Sequence, residues 1–230
     1  MLTITADQLE RLDQTQQARF ASALCASIQT DYPDYARLAP VVLQVLVANA
    51  LARAQSYGLT WRSSLEQFVR LMAAVAPNFD THPAIQAGLG NDTVEPDERL
   101  PLLVKTLPDG VWAEAAENSS NLGWYLRANQ VPAASEARIA AALANALPQK
   151  FRPATLNAAP FVAQSCRRAA ELGLPGEDGG FTFAACNFLY GAGFESRVAW
   201  VADIFAPHIA PPLRVALLKA RAAIDSGVWL

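Results

Sequence analysis

A chain of 230 residues that is 52% hydrophobic and 17% charged is long enough for one large or two small domains and too apolar to stay disordered. Its net charge of −3 argues against a dedicated nucleic-acid binder, whose footprint is a basic stripe. The N-terminal "MLTITADQLERL" lacks a basic segment followed by an apolar run. The most apolar stretch, "LAPVVLQVLVANALA", is too short to span a bilayer and carries Gln44 and Asn49. The expectation is a soluble cytoplasmic protein without a membrane partner.

Helix signals begin at once. In "TADQLERLDQTQQARFASALCASI", Leu9, Leu12, Phe20, Leu24 and Ile28 recur at three- and four-residue steps, with Thr5 and Gln8 as a capping box and Ile4 and Leu9 as a hydrophobic staple. A second helix runs through "VVLQVLVANALARAQSY" and stops at Gly58. A third opens at "SSLE", where Ser63 and Glu66 form a capping box, and carries Leu65, Phe68, Leu71 and Met72. Next comes the corner "APNFDTHPAI", Ala76 to Ile85. Here Phe79 should anchor the turn in the core and Asp80 should cap a short helix, leaving His82 dispensable. Residues 93–131 contain turn signals, yet Leu100, Leu102, Leu103, Val104, Trp112, Trp124 and Tyr125 are too apolar for a free linker, so this segment should pack. Asp178 is placed to cap the helix after "PGEDGG". A last helix, "PPLRVALLKARAAID", turns Leu213, Leu217, Ala220 and Ile224 inward and ends near Gly227. Sustained two-residue alternation is missing, so the chain reads as all-α.

Self-similarity organises these elements. "ARFASAL" (18–24) returns as "ARIAAAL" (137–143), and "YGL" (57–59) as "LGL" (172–174). From there the match continues at an offset of 115, pairing Phe68 with Phe183, Phe79 with Phe194, Asp80 with Glu195, Ala84 with Ala199 and Leu89 with Ile204. The expected architecture is two degenerate copies of a unit: helix, helix, glycine stop, helix, corner, short helix. Residues 1–92 form the first copy, 93–131 a packed inter-copy segment, and 132–230 the second copy with the C-terminal helix. Charge divides along similar lines. Residues 1–120 hold 8 basic and 14 acidic side chains, net −6, and residues 121–230 hold 10 and 7, net +3. Opposite halves suit docking of one on the other or on a charged partner, although a chance imbalance of solvated faces gives the same numbers.

Catalytic signatures are thin. The sequence contains no GxSxG elbow, HExxH, Walker loop or GxGxxG. Two histidines, His82 and His208, are too few for a metal site, and no cofactor is implied. The three cysteines, Cys25, Cys166 and Cys186, form no CxxC and read as small buried hydrophobes. Glu114 and Glu117 would share a helix face. With His208 they are the only polar actors an enzyme could use, and a solvated face explains the pair more simply. Aromatics near arginine are more telling. Trp61, Trp112, Trp124, Tyr125 and Arg127, with Glu114 and Glu117, are the candidate partner-binding residues, since such side chains anchor protein interfaces. Joining the two copies to each other is an equally good use for them.

The run "ARAQSYGLTWRSSLEQFVRLMAAVAPNFDTHPAI" resembles small helical proteins encoded beside type VI secretion effectors and spike proteins. Tyr57-Gly58, Phe68, Leu71-Met72, Pro77, Phe79-Asp80 and Pro83 carry the likeness. Ala76 stands where that pattern has glycine, whereas the second copy keeps Gly191 and loses the proline. The resemblance covers the first 90 residues well and the second copy loosely, and its motifs are structural. It implies a non-enzymatic protein: a chaperone or adaptor that binds a secreted toxin effector, or alternatively an immunity protein that neutralises one.

Overall fold

The computed structural model describes residues 6–117, 139–140, 143, 158–227 and 230. Among the described residues the chain is all-α, without a strand. The helices are α1 (Ala6–Asp31), α2 (Pro40–Ser56), α3 (Arg62–Ala74), α4 (Pro83–Leu89), α5 (Pro96–Thr106), α6 (Asp109–Glu117), α7 (Ala158–Glu171), α8 (Gly176–Tyr190), α9 (Phe194–Arg197), α10 (Ala199–Ile204) and α11 (Pro211–Ser226). Single 3₁₀ turns lie at Tyr35–Arg37 and Phe79–Thr81.

Helix α2 ends where its glycine permits. Gly58 takes φ +83°, its N–H meets the Gln55 carbonyl at 2.9 Å, and the Leu59 N–H returns to the Ala54 carbonyl at 3.2 Å. This left-handed stop satisfies carbonyls that the helix end would otherwise orphan. Starts are less local than the sequence motifs suggest. Trp61, not Ser63, precedes the first turn of α3 and makes no side-chain cap, while Glu66 reaches forward to Arg70 at 3.0 Å. Asp178 lies inside the first turn of α8, after the N-cap Pro175, and pairs with Lys219 of α11. The proposed capping box and staple at Ile4, Thr5, Gln8 and Leu9 lie outside the described residues or side chains.

The corner after α3 is built differently from expectation in two respects. Phe79 is buried against Phe68, with ring centroids 4.8 Å apart. Asp80, however, caps nothing. It is only 2% exposed and receives the Arg53 guanidinium, with Nε at 3.0 Å from Oδ2, together with the Tyr57 hydroxyl at 3.2 Å. A carboxylate so far from water needs a cation more than a helix end does. Capping falls to His82, whose Nδ1 accepts from the Ala84 N–H at 3.3 Å while Nε2 lies 3.3 Å from Glu114.

These contacts recur 115 residues later. Arg168 Nε donates to Glu195 at 3.0 Å, as Arg53 does to Asp80, and Phe183 meets Phe194 at 5.1 Å. Gly173 takes φ +71°, and Leu174 N–H returns to Ala169 O at 2.9 Å. Helix α11 starts at Pro211 as α5 starts at Pro96. Arg99 donates to the Tyr57 carbonyl at 3.3 Å, and Arg214 donates to the Leu172 carbonyl at 3.5 Å. Helix α5 packs on α3 and α4, as α11 packs on α8 and α10. The region from 96 to 117 therefore lies on the first half of the chain, with α6 seated on the 79–81 turn.

Helix α11 also packs on α2 and so joins the halves. Gly227 sits against the Asn78 amide so closely that a methyl group there would overlap it. On the same helix face stand Ala223, Ala220 and Ala216, a ridge of small residues that lets two helices approach closely. Beside it Lys219, 1% exposed, is paired with Asp178. Burial outweighs that pairing and holds the ammonium below its ordinary pKa.

Two predictions follow from the corner. Phe79→Ala and Phe194→Ala should each cost about 3–5 kcal/mol in urea unfolding, because each leaves a cavity among fixed helices. His82→Ala should cost about 0.5–2 kcal/mol through the lost cap in the same assay, with Thr81→Ala as a nearby control.

Candidate functional site

The candidate site is a groove of about 430 Å³ between α3 and α5, lined by Trp61, Gln67, Val94, Pro101, Leu102 and Lys105. Helix α5 buries Leu100 and Leu103 against the core. Gly88 of α4 lies so close to Leu103 that a methyl group there would overlap it. On the opposite side of α5 Leu102 is 44% exposed, and Trp61, just before α3, is 57% exposed; Val104, also 44% exposed, does not line the groove. The Trp61 indole with Val94, Pro101 and Leu102 forms an apolar surface of the kind that binding faces display.

Asp97 holds the groove in shape. From the first turn of α5 its Oδ1 accepts the N–H groups of Thr60 and Trp61, both at 2.9 Å, and its Oδ2 accepts the Thr60 hydroxyl at 2.8 Å. The two residues that lead into α3 are thus held by a residue 36 positions from Trp61, while Ser63 lies inside the helix and cannot act as its N-cap. Pro101 has no N–H for the Asp97 carbonyl four residues earlier, and the Ser64 hydroxyl supplies the missing donor at 3.1 Å. Burial raises the Asp97 carboxyl pKa, but the hydrogen bonds from Trp61, Thr60 and Ser64 prevail and hold it below its ordinary 3.8. Trp61 therefore has a fixed backbone and a free indole. Arg99 completes the frame by donating to the carbonyls of Val94 and Leu89 at 2.9 and 3.0 Å.

A second groove, of about 360 Å³, lies in the other half of the chain. Phe161, Gln164 and Arg167 of α7 line it with Asn187 of α8, Gly193 and Glu195. Arg168 forms its floor, donating to Glu195 and, at 2.9 Å, to Glu171. This groove is more polar than the first.

The candidate partner-binding residues separate. Trp61 stands at the first groove. Trp112 is half-buried and stacks over Phe79 at 6.4 Å, so it serves the corner. Glu114 is exposed and its imidazole neighbour is His82, not His208, which is exposed in the turn before α11. Glu117 ends α6, and its side chain is outside the described set. Trp124, Tyr125 and Arg127 lie outside the described residues. Leu102 and Val104 were read from the sequence as packing residues, and the structure exposes them instead. Cys186 is fully buried, and burial pushes its thiol pKa far up. Among the described residues no cluster of histidine, cysteine or carboxylate side chains is arranged to hold a metal ion, and no helix is long and apolar enough to cross a membrane. Comparison with protein-family models, curated proteins and solved structures gives no match.

Asp97 generates an acid-stability prediction. Because its folded pKa is depressed, its contribution is fully present above the unfolded carboxyl value and is lost as pH falls through the folded one. Wild-type stability should therefore drop below about pH 4. Asp97→Asn should show a shallower drop there in urea titrations. Asp97→Ala, which strands the donors at 60 and 61, should cost about 1–3 kcal/mol at neutral pH.

Proposed function

We propose that the chain is a non-enzymatic, cytoplasmic protein-binding protein that acts as a chaperone or adaptor for a secreted toxin effector. The observation that carries protein binding is the α3–α5 groove, where Trp61 and Leu102 are exposed on a frame held by Asp97. A tryptophan flanked by aliphatics, with Glu98 and Lys105 beside it, has the composition of an interface hot spot inside a polar rim. The toxin-effector setting rests on the resemblance of the first 90 residues to proteins of type VI secretion loci. An internal duplication is part of the same proposal, supported by ion pairs, aromatic pairs and glycine stops that share one offset.

Co-expression with the toxin encoded beside this chain tests the reading. The soluble yield or secretion of the toxin should rise with the wild-type protein and return to background with Trp61→Ala/Leu102→Glu. Both positions are exposed, so the unfolding midpoint of that variant should shift little. Protection of cells from the toxin without a gain in its yield or secretion would replace the chaperone by an immunity protein.

A further inference from the structure

The two grooves are the two halves of a single joint that the chain already makes once. Inside the molecule α11 packs on α2, and Gly227 at its end abuts Asn78. At the offset of 115, the ridge residues Ala216 and Ala220 and their neighbour Leu217 correspond to Pro101, Lys105 and Leu102, which wall the first groove. On the receiving side, α2 corresponds to α7 and Asn78 to Gly193, which wall the second groove. Burial follows the same division. Leu217 is 6% exposed in the made joint, against 44% for Leu102 in the open one. Leu46, 1% exposed, corresponds to the half-buried Phe161.

From this we propose that a second copy of the chain covers these faces head-to-tail, the α3–α5 face of one copy docking on the α7–α8 groove of the other. Charge on the two linings favours this occupant, since Glu98 stands on the α3–α5 face and Arg167 on the α7–α8 groove. The new joint differs from the internal one. Helix α5 ends at Thr106, so counterparts of Ala223 and Gly227 are missing from the ridge. Trp61, which stands where the second half has Gly176, adds apolar area in their place. Both grooves are satisfied when head-to-tail contacts close a ring, and a pair is the smallest such ring, its second joint forming intramolecularly. This inference rests on reading the α3–α5 face as protein-binding. It makes self-association and toxin binding compete for that face.

Sedimentation velocity over a wide dilution series provides the test. The wild type should show a concentration-dependent species of twice 24.7 kDa that weakens as salt rises. Leu102→Glu removes one half of the joint and Arg167→Glu the other, so each variant alone should be monomeric. Mixed together they retain one intact face each and should form a 1:1 complex. If either charged variant lowers the unfolding midpoint, Trp61→Ala and Gln164→Glu take their places in the same mixing experiment. A wild type that stays monomeric overturns the proposal. So does a dimer that survives Arg167→Glu, or one that mixing fails to restore. A monomeric wild type that still raises toxin yield would remove this inference and leave the proposed function intact. A head-to-tail pair indifferent to the toxin would do the reverse.

Discussion

Removing a carboxylate from water obliges the fold to bring a cation to it, and Asp80 imposes that requirement on the first half of the chain. The Arg53 guanidinium answers from the last turn of α2, giving two donors to Asp80 and its Nη1 to the Pro77 carbonyl at 2.9 Å. One planar side chain thereby ties the end of α2 to the turn that follows α3. With that turn fixed, Phe79 can only enter the space beside Phe68, and Trp112 closes over it from α6. A well-packed apolar pair could stabilise such a corner as well as an ion pair does, but it would not hold the three segments in one register. The Arg168–Glu195 pair does the same work in the second half nearer to solvent, with Leu172 in place of Tyr57 and without its hydroxyl.

How much of this was legible depended on the range of the interaction. Helices α2, α3 and α11 follow from apolar periodicity, and the stops at Gly58 and Gly227 follow from the positive φ that glycine adopts most easily. Starts were misread because capping motifs are local and the acceptor that won was not. The helix begins one residue before Ser63, and Asp97, brought there by the packing of α5, fixes the Thr60 and Trp61 N–H groups that lead into it. The corner failed for a similar reason. Asp80 and His82 both have the chemistry of a cap, and only the position of Arg53 assigns the acid to the core and the imidazole to α4. Yet Arg53 and Arg168 share the offset already visible among the phenylalanines, as do Arg99 and Arg214. Extending the comparison from apolar to charged positions would have found both pairs.

The candidate surface was legible in its aromatic part only. Trp61 stands outside the apolar stripe of α3 and could be singled out. Leu102 could not, because it belongs to a run with Leu100, Leu103 and Val104 that has no polar side. A short helix apolar on two faces reads as buried. In the structure Leu100 and Leu103 are buried where α5 meets α3 and α4, and Leu102 opens onto the groove, 44% exposed. Trp112 was drawn the opposite way, into contact with Phe79, because α6 folds back on the corner.

Under the proposed duplication each unit stacked on its copy has two faces to cover, and stacking two units covers only the inner pair. Repeat proteins usually make the outer faces polar. Here the end bearing α7 meets that rule, with Gln164, Arg167 and Arg168 exposed along it. The end bearing α5 does not, for it presents Trp61, Leu102 and Val104 to solvent. Indole and aliphatic surface left in water costs about 25 cal/mol per Å² relative to burial. The fold could have lowered that cost with a single polar substitution at Leu102 without disturbing Leu100 or Leu103. The asymmetry between the two ends is therefore one of polarity: the α7 groove sets Gln164, Arg167 and Arg168 around Phe161, whereas the α5 face sets Trp61, Pro101 and Leu102 together.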